Sequence, residues 1–217
     1  MVVSAHALQY DLNQEVVELW HKDEDISMLS AEDCIVLPGG FSYGDYLRCG
    51  AIAKFSPMMK QVINFANAGG KVLGICNGFQ ILCEAGLLPG ALLRNAEMQF
   101  ICKNIFITDQ KTGKGGIYKI PIAHGEGRYF ADDKTLQSLH INNQILYWYC
   151  DEQGSINSAG NHNGSIQNIA GICNRGRNVM GMMPHPERAC SSLLGNEDGR
   201  KILKQLVGLK QELASFS

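Results

Sequence analysis

The chain has 217 residues, 45% of them hydrophobic and 18% charged, with a formal net charge of -2 at pH 7. That length suits one sizeable core and a single domain over residues 1–217, and the composition is ordinarily globular. A charge so near neutral gives no footprint for nucleic acid or an anionic membrane, and no run approaches the roughly 18 consecutive apolar residues of a membrane span.

The opening MVVSAHALQYDLNQEVVELW lacks the basic start and unbroken apolar stretch of a signal peptide, so a cytoplasmic location is expected. Ala5, Leu8 and Leu12 share a helical face, and Val16 to Trp20 is a short strand signal. Cys34 to Leu37 is a β-branched apolar run stopped by Pro38-Gly39-Gly40. Ser56-Pro57 opens a helix with Met58, Val62 and Phe65 on one side, and Gly69-Gly70 closes it. Val72 to Ile75 is an apolar strand, and Phe79 to Ala85 reads as a helix ended by Gly86. This alternation predicts an α/β fold whose sheet is mostly parallel, open and flanked by helices. Later, Phe100–Thr108, Ile117–Ile122, Ile145–Cys150, Ile169–Cys173 and Val179–Met183 read as strands that extend the sheet or add antiparallel hairpins. Ile202, Leu206, Leu209 and Leu213 lie along one stripe of a closing helix.

Eight cysteines stand at 34, 49, 76, 83, 102, 150, 173 and 190, with no C-x-x-C pair among them. Most sit in apolar stretches and read as buried, reduced thiols. Cys76 differs. Lys71-Val72-Leu73-Gly74-Ile75-Cys76-Asn77-Gly78-Phe79-Gln80 is a buried strand, a G-x-C-x-G turn and a helix, the nucleophile-elbow pattern with Cys in place of Ser. A tight strand-to-helix turn leaves no room for side chains at Gly74 and Gly78. A thiol at a helix N-terminus is favoured as thiolate by the dipole and the N–H groups.

A thiolate nucleophile needs a base, and the base an orienting group. Of six histidines, His185 follows a strand within Met182-Met183-Pro184-His185-Pro186-Glu187-Arg188. The prolines are expected to hold this segment extended, so that residues 185 and 187 point to the same side and Glu187 orients the imidazole. The oxyanion of a tetrahedral intermediate requires donors. The N–H of Asn77 is one candidate, and the glycines at 39 and 40, which end the neighbouring strand, are a second source. No metal-ligand spacing and no G-x-x-x-x-G-K-[ST] phosphate loop is present.

Together these residues resemble the class I, triad-type glutamine amidotransferases. Within that class they are most similar to the family of amidotransferase subunits of phosphoribosylformylglycinamidine synthase. The likeness rests on Leu37-Pro38-Gly39-Gly40-Phe41-Ser42-Tyr43-Gly44-Asp45-Tyr46-Leu47-Arg48-Cys49-Gly50-Ala51-Ile52-Ala53, the elbow, Pro121-Ile122-Ala123-His124-Gly125-Glu126-Gly127, Asn163-Gly164-Ser165 and Gly181 to Arg188, in family order over nearly the whole chain. The resemblance implies Cys76 as nucleophile, His185 as base and then acid, Glu187 as its orienter, and oxyanion N–H groups from Gly40 and Asn77. It further implies glutamine contacts from Gln80, His124 and Gly125, and leaves Asp45 and Arg48 facing either the active site or a partner. It implies no cofactor in this chain, with ATP and magnesium in a partner synthetase that converts formylglycinamide ribonucleotide to its amidine, and in some bacteria a small bridging subunit. Relatives of this pattern begin with a short apolar strand and a Pro-Gly-Ser-Asn loop. The helix near Ala5 is met here without them, so a sheet lacking the usual first strand, with an exposed edge, is expected. They also tend to carry Asn-Pro-Asn-Gly-Ser where this chain has Gly160-Asn161-His162-Asn163-Gly164-Ser165. Three alternatives share parts of the pattern: a cysteine peptidase on the same elbow, a binding-only amidotransferase, and an amidotransferase of another pathway.

Overall fold

A computed structural model describes residues 2–40, 52–110 and 115–208. In chain order, α1 (Val2–His6) runs into a wider π turn (Ala7–Asp11) and is followed by β1 (Cys34–Leu37), α2 (Pro57–Asn67), β2 (Lys71–Ile75) and α3 (Asn77–Glu84). Next come β3 (Ala91–Leu93), β4 (Ile101–Thr108), β5 (Ile117–His124), β6 (Arg128–Phe130), α4 (Asp133–Ile141), β7 (Ile145–Cys150), β8 (Ile169–Cys173), β9 (Val179–Met182) and α5 (Asp198–Val207).

Among the described residues, seven strands form one sheet in the order β1-β2-β9-β8-β7-β4-β5, while β3 and β6 pair separately. The α/β class holds. β1, β2 and β9 are parallel, as the strand–helix rhythm of the first half requires. From β9 outward each neighbour is antiparallel, so the whole sheet is mixed. No strand precedes β1 among the described residues, and β1 lies at an edge, paired on one side only. The alternating directions leave β5 running the same way as β9. The carboxyl ends of β1, β2, β9 and β5 therefore gather at one end of the sheet, where open α/β sheets bind ligands.

Local chemistry sets several boundaries. The Ser56 side chain accepts Met59 N–H and Pro57 takes the first helical position, so α2 begins where the Ser-Pro signal places it. Met58, Met59, Val62 and Ala66 form its buried face, with Phe65 packed against the core. Asp132 caps α4 by accepting Thr135 N–H. Val72, Leu73, Ile75 and Phe79 are fully buried at the centre. The strand expected over Val16 to Trp20 does not form. Val17 and Trp20 are exposed there, so the apolar run has neither a paired strand nor a core face to hold it. Near the N-terminus the buried side is Ser4, Ala7 and Leu12, and Ala5 and Leu8 are only half-buried, because the π turn rotates the face. In α5, Ile202, Leu203 and Leu206 are buried, while Leu209 and Leu213 lie outside the described residues. Asp45 and Arg48 also lie outside them.

Candidate active site

Cys76 is the hinge between β2 and α3, at φ 51° and ψ -104°, a backbone region costly for any residue with a Cβ. Its N–H donates to Met182 O of β9 at 2.8 Å, which fixes the turn to the neighbouring strand. The flanking glycines are needed for the steric reason read from the sequence. A Cβ on Gly78 would stand 2.0 Å from Leu37 O, and one on Gly74 would stand 2.6 Å from Gly78 carbonyl carbon. The first turn of α3 thus sits directly on the end of β1.

His185 leaves β9 and is held by donation from its N–H to Pro121 O of β5 at 2.8 Å. Residues 186–188 are not extended, as expected from the prolines, but form a single 3-10 turn. Proline is compatible with the first position of such a turn, because its fixed φ suits it and its missing N–H is not needed there. His185 and Glu187 meet all the same, with Nδ1 2.7 Å from Oε1 and both side chains buried. Arg188 Nε stands 3.7 Å from the same Oε1. A methyl group on Gly39 would lie 2.6 Å from His185 Cε1 and 3.4 Å from Cys76 Cβ. Cys76 and His185 therefore flank one point, with the backbone of Gly39 against both.

The site residues are not equally placed. Gly40 is exposed, and no described residue has an atom within 4 Å of where its Cβ would stand. Asn77 is the first residue of α3, at the helix end that presents N–H groups. Gln80, one turn on, has its amide in use: Oε1 accepts from Asn77 Nδ2 at 2.9 Å and Nε2 donates to Glu126 O at 2.6 Å. It ties the elbow helix to the 124–127 turn. His124 ends β5 and is buried, and Cys76 Sγ lies 3.9 Å from O of the preceding Ala123. Burial, and then the nearby charge of His185, depress the His124 pKa to about 4. Gly125 is half-buried beside Phe100, and Gly127 lies under the His124 ring, where a Cβ would approach Nδ1 to 2.3 Å.

Two buried residues hold this turn from beneath: Asn95, which nothing in the sequence singles out, and Asn163, whose part in it only the structure shows. Asn95, fully buried between β3 and β4, bonds His124, Gly125, Gly127 and Gln99. Asn163 donates through Nδ2 to Gly127 O at 2.8 Å and to Tyr149 Oη at 3.2 Å. An Asn between strands reads as a turn residue, and only its burial marks it as a hub. No group of three His, Cys, Asp or Glu side chains that could hold a metal occurs among the described residues.

An elbow cysteine beside a buried His–Glu pair, at the carboxyl end of parallel strands, is the arrangement of a triad amidotransferase. The model of the CobB/CobQ-like glutamine amidotransferase domain matches residues 11–205, and the chain belongs to that family. More particularly, it is 54% identical over 210 residues to the phosphoribosylformylglycinamidine synthase subunit PurQ of Moorella thermoacetica, covering 93% of this chain and 88% of that one. To the subunit of the same name from Gloeobacter violaceus it is 52% identical over 204 residues, covering 90% and 87%. The fold is similar to that of the structure described as PurLQS from Thermotoga maritima, with a TM-score of 0.74 and 38% identity over 95% of this chain and 91% of that chain.

Proposed function

We propose that this chain is the glutamine-hydrolysing subunit of a phosphoribosylformylglycinamidine synthase, with Cys76, His185 and Glu187 as its triad. The observation that carries the assignment of residues is the convergence of Cys76 and His185 on Gly39, with Glu187 2.7 Å behind the imidazole.

His185 takes the thiol proton, and Cys76 Sγ attacks the carboxamide carbon of glutamine. The oxygen gains the negative charge and is met by the N–H groups of Gly40 and Asn77. The C–N bond breaks as His185 returns its proton to nitrogen, and ammonia leaves behind a glutamyl thioester on Cys76. Water gives a proton to His185 and attacks the thioester carbon. The C–S bond then breaks, releasing glutamate and restoring the thiol. Glu187 holds the imidazole with Nδ1 protonated and stabilises its cationic form, leaving Nε2 to move the proton.

Free ammonia becomes largely ammonium in neutral water and is then no nucleophile, so hydrolysis is useful where ammonia passes directly to a second site. We place that site in a synthetase subunit, with a small bridging subunit beside it in some bacteria; the similar Thermotoga maritima structure is likewise described as an assembly, PurLQS. ATP and magnesium belong to the synthetase, and this chain needs no cofactor of its own. A cytoplasmic location suits this role, and no helix among the described residues is long and apolar enough to cross a membrane.

The test is glutamate release from glutamine by the 217-residue chain, with and without its synthetase subunit. Release that the synthetase stimulates and Cys76→Ala abolishes supports the proposal. A folded chain that releases none in either condition overturns it in favour of a binding-only subunit.

A further inference from the structure

β5 lies at the second edge of the seven-stranded sheet and is paired only with β4 among the described residues. Alternate residues of a strand turn their backbone groups to the same edge. On the outer edge of β5 these are Lys119, Pro121 and Ala123, and all three have partners. Ala123 O lies 3.9 Å from Cys76 Sγ, and Pro121 O accepts His185 N–H at 2.8 Å. At Lys119 the N–H donates to Asp198 Oδ2 at 2.9 Å, and the carbonyl oxygen accepts from Asn196 Nδ2. Asn196 Oδ1 accepts Asp198 N–H at 3.0 Å, so the two residues brace one another. Their side chains together serve Lys119 as a neighbouring strand would.

The same short segment holds the turn that carries His185 and Glu187. Gly199 N–H donates to Ala189 O at 2.7 Å, and a Cβ on Gly199 would stand 1.9 Å from Pro186 O. Residues 196–199 therefore grip β5 on one side and the His185 turn on the other. A recess of about 230 Å³ is lined by Lys119 and Pro121 of β5 and by Arg188 and Leu194, so packing does not fill this seam and hydrogen bonds must hold it. We propose that Asn196 and Asp198 are positioning residues: by gripping Lys119 they hold β5 in place against the His185 turn, and so keep His185 within reach of Cys76. The edge of β5 acts as the ruler. Cys76 and His185 rest against residues two apart, about 7 Å along a strand, and a tilt of β5 moves both supports. A misplacement of about 1 Å in a reacting pair can cost about 100-fold in rate.

The inference rests on the glutaminase reading, which the parent chain tests by itself. Glutamate release is measured over a range of glutamine concentrations, with the synthetase subunit present, for the parent, Asn196→Ala, Asp198→Ala and Asp198→Asn. The two alanine variants should each lower kcat about tenfold, with KM for glutamine within about twofold of the parent. Asp198→Asn keeps an oxygen acceptor for Lys119 N–H and should retain at least about half of kcat, although it loses the charge that suits a helix N-terminus. A second readout needs no turnover: alkylation of Cys76 by iodoacetamide, followed by peptide mass spectrometry. A Cys76 held less closely to His185 keeps less thiolate, so alkylation at pH 7 should slow about 3- to 10-fold in Asn196→Ala and stay at the parent rate in Asp198→Asn. Side chains that merely cover a sheet edge or cap α5 would cost stability and leave both readouts of the folded chain alone. A parent chain that releases no glutamate sinks the glutaminase reading, and this proposal with it. An active parent with kcat and alkylation unchanged in Asn196→Ala, or an Asp198→Asn as impaired as Asp198→Ala, overturns this proposal alone. If Asp198→Ala fails to fold, Asn196→Ala, which lies outside α5, decides.

Discussion

His185 Nδ1 and Glu187 Oε1 stand 2.7 Å apart within one turn, both buried, while His185 Nε2 makes no hydrogen bond among the described residues. In the proposed mechanism the carboxylate holds the Nδ1 end of the ring protonated and leaves Nε2 for the proton in flight. Glu187→Gln keeps the shape but can present an N–H to Nδ1, favouring the wrong tautomer. Glutamate release should fall about 10²- to 10⁴-fold in kcat with the fold intact by circular dichroism. A fall of only a few-fold would remove Glu187 from the triad.

The two glycine sites should respond oppositely to alanine. At Gly78 a Cβ meets the backbone oxygen of Leu37 at 2.0 Å, and neither strand end nor helix start has room to move. Overpacking of this kind costs about 1–3 kcal/mol, a drop in Tm of about 2–12 °C for a chain of this size. At Gly40 a Cβ meets no atom of the described residues, and Gly40→Ala should leave Tm within about 2 °C. Equal Tm values for the two variants would contradict the packing of α3 on β1.

Backbone strain at Cys76 is measurable once its thiol is removed. Cys76→Ala and Cys76→Gly both lack it, and only alanine must hold a Cβ at φ 51°, ψ -104°. Relief of that strain, offset by the extra freedom of glycine in the unfolded chain, should leave Cys76→Gly more stable by about 1 kcal/mol, or about 2–4 °C in Tm. A lower Tm for the glycine variant would show that the turn is unstrained.

His124 links stability to pH. Its folded pKa of about 4 lies below the ordinary 6.5, chiefly through burial and then through His185. Between those values the unfolded chain binds a proton that the folded chain refuses, so stability is full above pH 6.5 and falls as the pH is lowered toward 4. From pH 7 to pH 5 the loss from this group is about 2 kcal/mol. Urea unfolding across that range should show the parent losing more stability than His124→Asn by about that amount. Parallel pH profiles would show that the imidazole charges freely in the folded state.

Much of this site is legible in the sequence because backbone sterics and bonded neighbours write it there. Gly74, Cys76 and Gly78 mark an elbow by themselves, since no other residue fits where Leu37 O and the helix turn approach. His185 and Glu187 are close in sequence and must be close in space whatever the local conformation, which is why they pair despite a 3-10 turn where extended chain is expected. The parallel run β1-β2-β9 follows from the strand–helix rhythm, whereas the antiparallel remainder depends on which strands find each other across long connections. α4 is harder to see, because only Leu136 and Leu139 are buried in its mainly polar run. Asn95 is invisible for a different reason. Its role comes from partners supplied by the turn at residues 124–127, and no local spacing encodes it.

The pairing of β2 with β9 also governs when the protein becomes able to act. Cys76 belongs to the first half of the chain and His185 to the last fifth, and they meet only once β9 lies alongside β2. Contacts between segments so distant along the chain form late in folding. A nascent chain still lacking β9, or one cleaved between the two strands with the pieces parted, holds a cysteine with no base beside it. With Cys76 and His185 in their proposed roles, such a fragment cannot hydrolyse glutamine, so nitrogen is spent only by molecules whose sheet is complete.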